Sequence, residues 1–176
     1  AGREEVNPQA GRDCAADVYQ QAGITDPRKD LDVAEVYVPF SWYEPMWLEN
    51  LGFAEEGEGW KLTMDGATSL IDGGDIPWNP SGGVLSSNPI GASGMIRSAE
   101  AARQVRGDAG QHQVEGAKLA MGHAYGGGAQ AGGGAGDQQV EAGIVELAVA
   151  VGHAPMAGGQ RRNRLAHRRL PQPAAG

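Results

Sequence analysis

Few side chains in this sequence could do covalent or metal chemistry, and they stand far apart. The single cysteine, Cys14, is the one candidate thiol nucleophile. No basic neighbour or helix N-terminus activates it, so it reads as a small helix residue. A lone cysteine also excludes an internal disulfide and a cysteine zinc cluster, and it fits a reducing, cytoplasmic compartment. Asp72 and Asp75 share a Gly-rich loop. Two carboxylates without further ligands solvate a turn rather than hold an ion, so no metal site is expected. His112 lies in a polar turn and is expected to be exposed. His123 stands at the end of an apolar run, just before Gly126-Gly-Gly.

Several elements must position these residues. Residues 11–23 read as a helix, with Asp13 capping the start, Gly23 the end, and Ala15, Val18, Tyr19 and Ala22 on one face. Leu31 to Phe40 reads as a strand that Pro39 ends. Ser41 is placed to cap a helix over 42–51, which Gly52 stops, with Trp42, Met46, Trp47 and Leu51 buried. Trp60 to Met64 reads as a short strand. Residues 65–83 form a long irregular segment of the kind that often carries function. A helix begins at Ser93 and runs to about Arg106, with Ile96, Ala99, Ala102 and Val105 available to pack. Val114 to Met121 reads as a strand, and Ile144 to Val151 can be another.

Composition divides the chain. All ten aromatic residues lie between Tyr19 and Tyr125. Residues 1–130 carry nine Lys and Arg against nineteen Asp and Glu, whereas residues 131–176 carry five against three. An acidic body repels nucleic acid and anionic membrane, so neither is expected as a partner. No apolar stretch reaches membrane-spanning length. The opening Ala1-Gly-Arg-Glu-Glu has neither Met nor an apolar segment, and it reads as the start of a piece cut from a longer chain.

Four blocks carry a resemblance. They are Gln21-Ala-Gly-Ile-Thr-Asp-Pro with Leu31-Asp-Val-Ala-Glu-Val-Tyr-Val-Pro-Phe-Ser; Trp47-Leu-Glu-Asn-Leu-Gly-Phe; Pro77-Trp-Asn-Pro-Ser-Gly-Gly-Val-Leu-Ser-Ser-Asn-Pro-Ile-Gly-Ala-Ser-Gly; and Gly122-His-Ala-Tyr-Gly-Gly-Gly. In this order they resemble the C-terminal half of thiolases over about residues 10–130, above all the sterol carrier protein-x type and the bacterial lipid-transfer proteins. The resemblance implies an α/β fold, a mixed five-stranded sheet flanked by helices. It also implies an acyl-CoA thioester as substrate with no bound cofactor. Homodimerisation through the family's N-terminal half, and in some members a small zinc-ribbon/OB-fold subunit, are implied as well.

The same resemblance places the catalytic loops. Thiolases carry Asn-Glu-Ala-Phe in one loop and the sterol carrier type His-Asp-Cys-Phe; here Tyr37-Val-Pro-Phe stands there. Tyr37 can donate a hydrogen bond, or simply pack at a strand end. Pro39 has neither side-chain donor nor backbone N–H, so acid/base chemistry is lost at that position. The thiolase Gly-His-Pro loop becomes Ser87-Asn-Pro. Asn88 can donate but does not titrate near neutral pH, and it can equally brace its loop. The thiolase Cys-X-Gly becomes Ala124-Tyr-Gly, and related steroid side-chain aldolases use tyrosines in these loops. Tyr125 matches one of them, while Asn88 stands at the other. A phenol titrates near about 10, so Tyr125 as a base needs a lowered pKa or a relay, for which His123 is the candidate. Gly82, Gly83, Gly126 and Gly127 let backbone run close to a thioester. The expected activity is therefore C–C bond chemistry on acyl-CoA other than ordinary thiolysis, with a non-catalytic acyl-CoA-binding subunit as the alternative. Two divisions are expected: a thiolase C-terminal domain fragment over 1–130, and a low-complexity tail over 131–176 that reads as frameshifted or disordered, leaving the sheet without its final strand.

Overall fold

The computed structural model describes residues 8–70 and 73–125, and the backbone of 145–151. Its sheet is mixed and three-stranded among the described residues, in the order β1 (Val33–Glu35), β2 (Leu119–Tyr125), β3 (Val145–Val151). β1 runs parallel to β2, with Glu35 opposite Gly122. β3 pairs antiparallel along the whole of β2, from Leu119 opposite Val151 to Tyr125 opposite Val145. The sheet edge that a missing last strand would leave bare is therefore covered. Five strands were expected and three are described. The longer strand read at 31–40 is ladder-paired over only three residues.

β1 ends early because side chains take over its backbone donors. Val36 N–H donates to Asn79 Oδ1 at 2.6 Å, and Tyr37 N–H to His123 Nδ1 at 3.3 Å. On its other edge, β1 is joined by one parallel bridge between Ala34 and Trp78.

Helices cover both faces of the sheet. On one face lies α3 (Tyr43–Asn50), whose Trp47 and Leu48 are fully buried against Ala34, Val36, Val38 and Met121. α1 (Gln9–Ala22) crosses the same layer. A Cβ at Gly11 would come within 2.8 Å of the Trp47 ring, so glycine is what permits the crossing. Tyr19 Oη donates to Leu51 O at 2.9 Å and ties the two helices. Pro8, not Asp13, precedes the first turn of α1; Asp13 lies inside the helix and accepts from Gln9 at 2.7 Å. Gly23 closes α1 at φ 69°, as its type predicts. Trp42, not Ser41, stands at the N-cap of α3, without a side-chain capping bond, and, though expected inside, is 49% exposed.

Residues 60–64 are helical, correcting the strand reading. Trp60, Leu62 and Met64 alternate, which mimics a strand period. Yet α4 (Gly59–Met64) starts on α3: Gly59 N–H donates to Glu49 Oε1 at 2.9 Å, and a Cβ there would sit 2.3 Å from Pro45 O. That close approach overrides the local pattern. Two further short helices are α2 (Pro27–Asp30), capped by Asp26, and α5 (Gly83–Ser86).

The other face is covered by α6 (Ser93–Arg106). Its apolar stripe was expected at Ile96, Ala99, Ala102 and Val105. Of these, Val105 packs half-buried against Val33, Ala117 and Ala120, but the fully buried residues are Ser93, Arg97, Ala101 and Gln104. A largely polar stripe can turn inward because it is satisfied there. Gln104 Oε1 accepts from Val114 N–H at 2.8 Å, and its Nε2 donates to His112 O at 2.8 Å. His112, expected to be merely exposed, pairs with Glu100 at 3.0 Å. No helix among the described residues is long and apolar enough to cross a membrane.

α6 lies on β2 at Gly122, where a Cβ would be 2.8 Å from Ser98 Cα and 2.9 Å from its N. Both neighbours are backbone and cannot swing away. Gly122→Ala should therefore destabilise the fold by about 1–3 kcal/mol. Urea denaturation checks this, and an unchanged midpoint would show that α6 rides freely on the sheet.

Candidate functional site

The ends of β1 and β2 gather three of the four expected site residues. Tyr37 and His123 meet through the backbone-to-ring bond just described. The Trp47 ring lies beneath His123 at 4.3 Å between centroids, and beside Tyr125 at 5.2 Å, edge-on in both cases. Trp47 is thus a platform for two of the candidate polar groups. His123 has no exposed surface. Tyr37, Ala124 and Tyr125 are half-buried.

Burial pushes the His123 pKa down to about 3, so the ring is neutral at physiological pH. Because Nδ1 accepts from Tyr37 N–H, the proton sits on Nε2. That buried Nε2 has no hydrogen-bond partner among the described residues. His123 therefore offers a neutral donor and a fixed tautomer rather than a cation.

Asn88 stands apart from this group. It is exposed, and its Oδ1 accepts from Ile90 N–H at 3.2 Å and Ser93 Oγ at 2.8 Å. Those bonds brace the start of α6. No hydrogen bond joins Asn88 to Tyr37, His123 or Tyr125 among the described residues. Ile90 beside Asn88 has φ 52°, an uncommon conformation for a β-branched residue, and is 80% exposed.

Gly82 and Gly83 lie at φ 88° and 58°, in the left-handed region that glycine adopts without a Cβ penalty. A Cβ on Gly83 would also press on Asn79 at 3.0 Å. Gly126 and Gly127 lie outside the described residues, as does Asp72. Asp75 pairs with Arg28 at 2.9 Å. Among the described residues no three His, Cys, Asp or Glu side chains cluster to hold a metal.

The comparisons with known proteins now bear on this geometry. Residues 1–135 match the family model described as thiolase C-terminal domain-like. The chain belongs to that family. It is 42% identical over 126 residues to acetyl-CoA acetyltransferase of Methanothermobacter thermautotrophicus, covering 71% of this chain and 32% of the relative. Human sterol carrier protein 2 is 40% identical over 127 residues, covering 71% of this chain and 22% of the relative. Among solved structures, the Ltp2-ChsH2(DUF35) aldolase is similar with a TM-score of 0.57 and 31% identity, over 64% of this chain and 28% of that one. The chain spans a third or less of the length of these relatives.

Within this thiolase-type domain, the residues that sequence reasoning missed are Glu35, Ser81 and Arg97. Glu35 is fully buried, and accepts from Ser81 N–H at 3.0 Å, Ser81 Oγ at 2.7 Å and Arg97 Nη1 at 2.8 Å. Burial raises its pKa above the usual carboxylate value, and the Ser81 hydrogen bond and the Arg97 charge oppose this only in part. A signal existed: Glu35 is the lone charge inside the apolar run from Val33 to Val38.

A neutral buried histidine leaves a thermodynamic mark. The folded state holds His123 at about 3, against an ordinary value of 6.5. Its contribution to stability is complete above the unfolded value and is lost as pH falls from there towards 3. Folding stability should therefore drop below about pH 6.5 with an added slope of up to one proton, and His123→Gln should remove that component. Urea midpoints across pH 4–8 for both proteins check it; parallel curves would reject the assignment.

Proposed function

We propose that this chain supplies the C-terminal half of an acyl-CoA thioester site whose chemistry is C–C bond formation or cleavage rather than ordinary thiolysis. The observation that carries the reading is the Trp47 platform at the end of β2. It holds His123 and Tyr125 on either side of Ala124, the position where the resemblance places a thiolase acid/base cysteine. Pro39 likewise leaves the first loop without a titrating group. Tyr37 and Asn88 are the remaining candidate donors, and Gly82, Gly83, Gly126 and Gly127 are the glycines proposed, by the resemblance, to admit the thioester.

The aldolase neighbour favours one form of this chemistry, retro-aldol cleavage of a hydroxyacyl-CoA. In that reaction the hydroxyl proton passes to a base as the Cα–Cβ bond breaks. The electron pair moves into the thioester as an enolate, which is then protonated. Tyr125 is the proposed base. His123, neutral and tautomerically fixed, is the group that would stabilise charge or pass a proton beside it. A non-catalytic acyl-CoA-binding subunit is the competing reading.

Other parts of the proposal follow the family pattern. The whole protein pairs as a homodimer in the cytoplasm, and a small zinc-ribbon/OB-fold protein is a candidate second subunit. No cofactor is needed beyond the CoA carried by the substrate.

Two assays test the reading. The isolated chain should not thiolyse acetoacetyl-CoA, because the rest of the site lies outside it; measurable turnover would overturn this. In the whole protein, Tyr125→Phe should lower retro-aldol cleavage of a hydroxyacyl-CoA by about 10²-fold or more. Cleavage at the unaltered rate would remove Tyr125 as the base, and acyl-CoA binding without any turnover would favour the scaffold.

A further inference from the structure

Residues 81 to 97 form one excursion from the sheet. It contains Gly82, Gly83, α5, Asn88, the strained Ile90 and the start of α6. Its two ends return to the same buried point. Ser81, at its beginning, donates to Glu35 through both its N–H and its Oγ. Arg97, at its end, uses Nη1 to reach both Glu35 Oε2, at 2.8 Å, and Ser81 Oγ, at 2.7 Å. Ser81 Oγ also accepts from Gly83 N–H at 3.2 Å. The base of the loop is thereby closed by a knot in which Arg97 and Glu35 are 4% and 0% exposed.

Inside the excursion the restraints are fewer. Asn88 binds Ile90 and Ser93, which holds one short turn against α6. Leu85, Ile90 and Met95 are exposed apolar side chains, and Val84 is the buried apolar residue of the excursion. The knot therefore fixes both ends of the excursion against β1, while buried Val84 and the Gly82 N–H bond to Asn79 O at 2.8 Å hold its beginning as well. Glu35 itself stands two residues before Tyr37 on the strand that leads into the Trp47 group, so one carboxylate links both halves of the candidate site.

We infer that Glu35 is a positioning residue: through Ser81 and Arg97 it clamps the base of the 81–97 loop and fixes where that loop meets an acyl-CoA thioester. The inference rests on the acyl-CoA reading proposed above for its use, but not for the clamp itself. A charged hydrogen-bonded group is needed, because a neutral amide can replace only part of the acceptor capacity that three donors draw on.

Amide hydrogen exchange read by mass spectrometry on this chain tests the clamp, comparing wild type, Glu35→Gln and the milder Ser81→Ala. Exchange across residues 81–93 should rise at least about tenfold in both variants, while peptides spanning β1 and β2 keep wild-type protection. Unchanged exchange in the loop, or an equal rise throughout the sheet, would overturn the clamp and leave a purely structural ion pair. If Glu35→Gln fails to fold, Ser81→Ala decides by the same criteria. In the whole protein, Ser81→Ala should raise KM for acetoacetyl-CoA or a hydroxyacyl-CoA more than it lowers kcat. Unaltered KM together with a loosened loop would overturn the positioning role. Absence of any acyl-CoA turnover or binding in the wild type would instead reject the proposed function, with the exchange result still deciding the clamp.

Discussion

A carboxylate buried between a strand and a helix is the constraint around which this domain is arranged. Glu35 has no exposed surface, and Arg97 is its only ion-pair partner among the described residues. Such a pair adds little to stability in itself, because desolvating both groups cancels most of their attraction. Losing either partner is another matter, since it strands a charge in the core at a cost of about 3–5 kcal/mol. The pair therefore acts as a specificity device. It dictates that α6 turns Arg97 inward and that Ser81 returns to β1. Once Arg97 is fixed, Ser93 one turn earlier and Ala101 and Gln104 beyond it must be buried too.

Close backbone approach is the second determinant. Gly122, directly opposite Glu35 in the parallel ladder, lets α6 settle onto β2. Gly11 lets α1 cross the Trp47 ring, and Gly59 lets α4 start against α3. Trp47 is consequently held from both sides, by α1 and by the sheet. A large ring fixed in this way can position His123 and Tyr125 without hydrogen bonds of its own. The candidate site thus depends on packing beneath it and on an ion pair beside it.

The domain shows how the backbone of its loops is held by side chains. Asn79 and His123 bond the backbone of Val36 and Tyr37, so the strand leaves the ladder at the point where the first candidate loop begins. Pro39 falls just beyond, where no ladder donor is required. Asn88 holds the start of α6 through Ser93 and is compatible with a brace, a donor, or both. Chemistry at these loops can therefore differ among relatives while the backbone that carries them is maintained.

The sequence by itself determined the family, the helices at both ends of the domain and the glycine that closes α1. These rest on local chemistry: ordered motifs, apolar periodicity and the left-handed conformation open to Gly23. It also marked Tyr37, Asn88, His123 and Tyr125 as the groups worth following. Only the tertiary structure decided which of them meet. His123 and Tyr125 are neighbours on β2, but Trp47 and Tyr37, distant in the chain, are placed against them only by the fold, while Asn88 is tied elsewhere. Tertiary contacts also decided that 60–64 is helical and that α6 buries its polar stripe. Neither was legible locally, because the alternation of Trp60, Leu62 and Met64 mimics a strand. Likewise, Arg97 looks like a surface residue until Glu35, 62 residues away, is placed against it. Burial of a charge depends on a distant partner, and no window of sequence contains both.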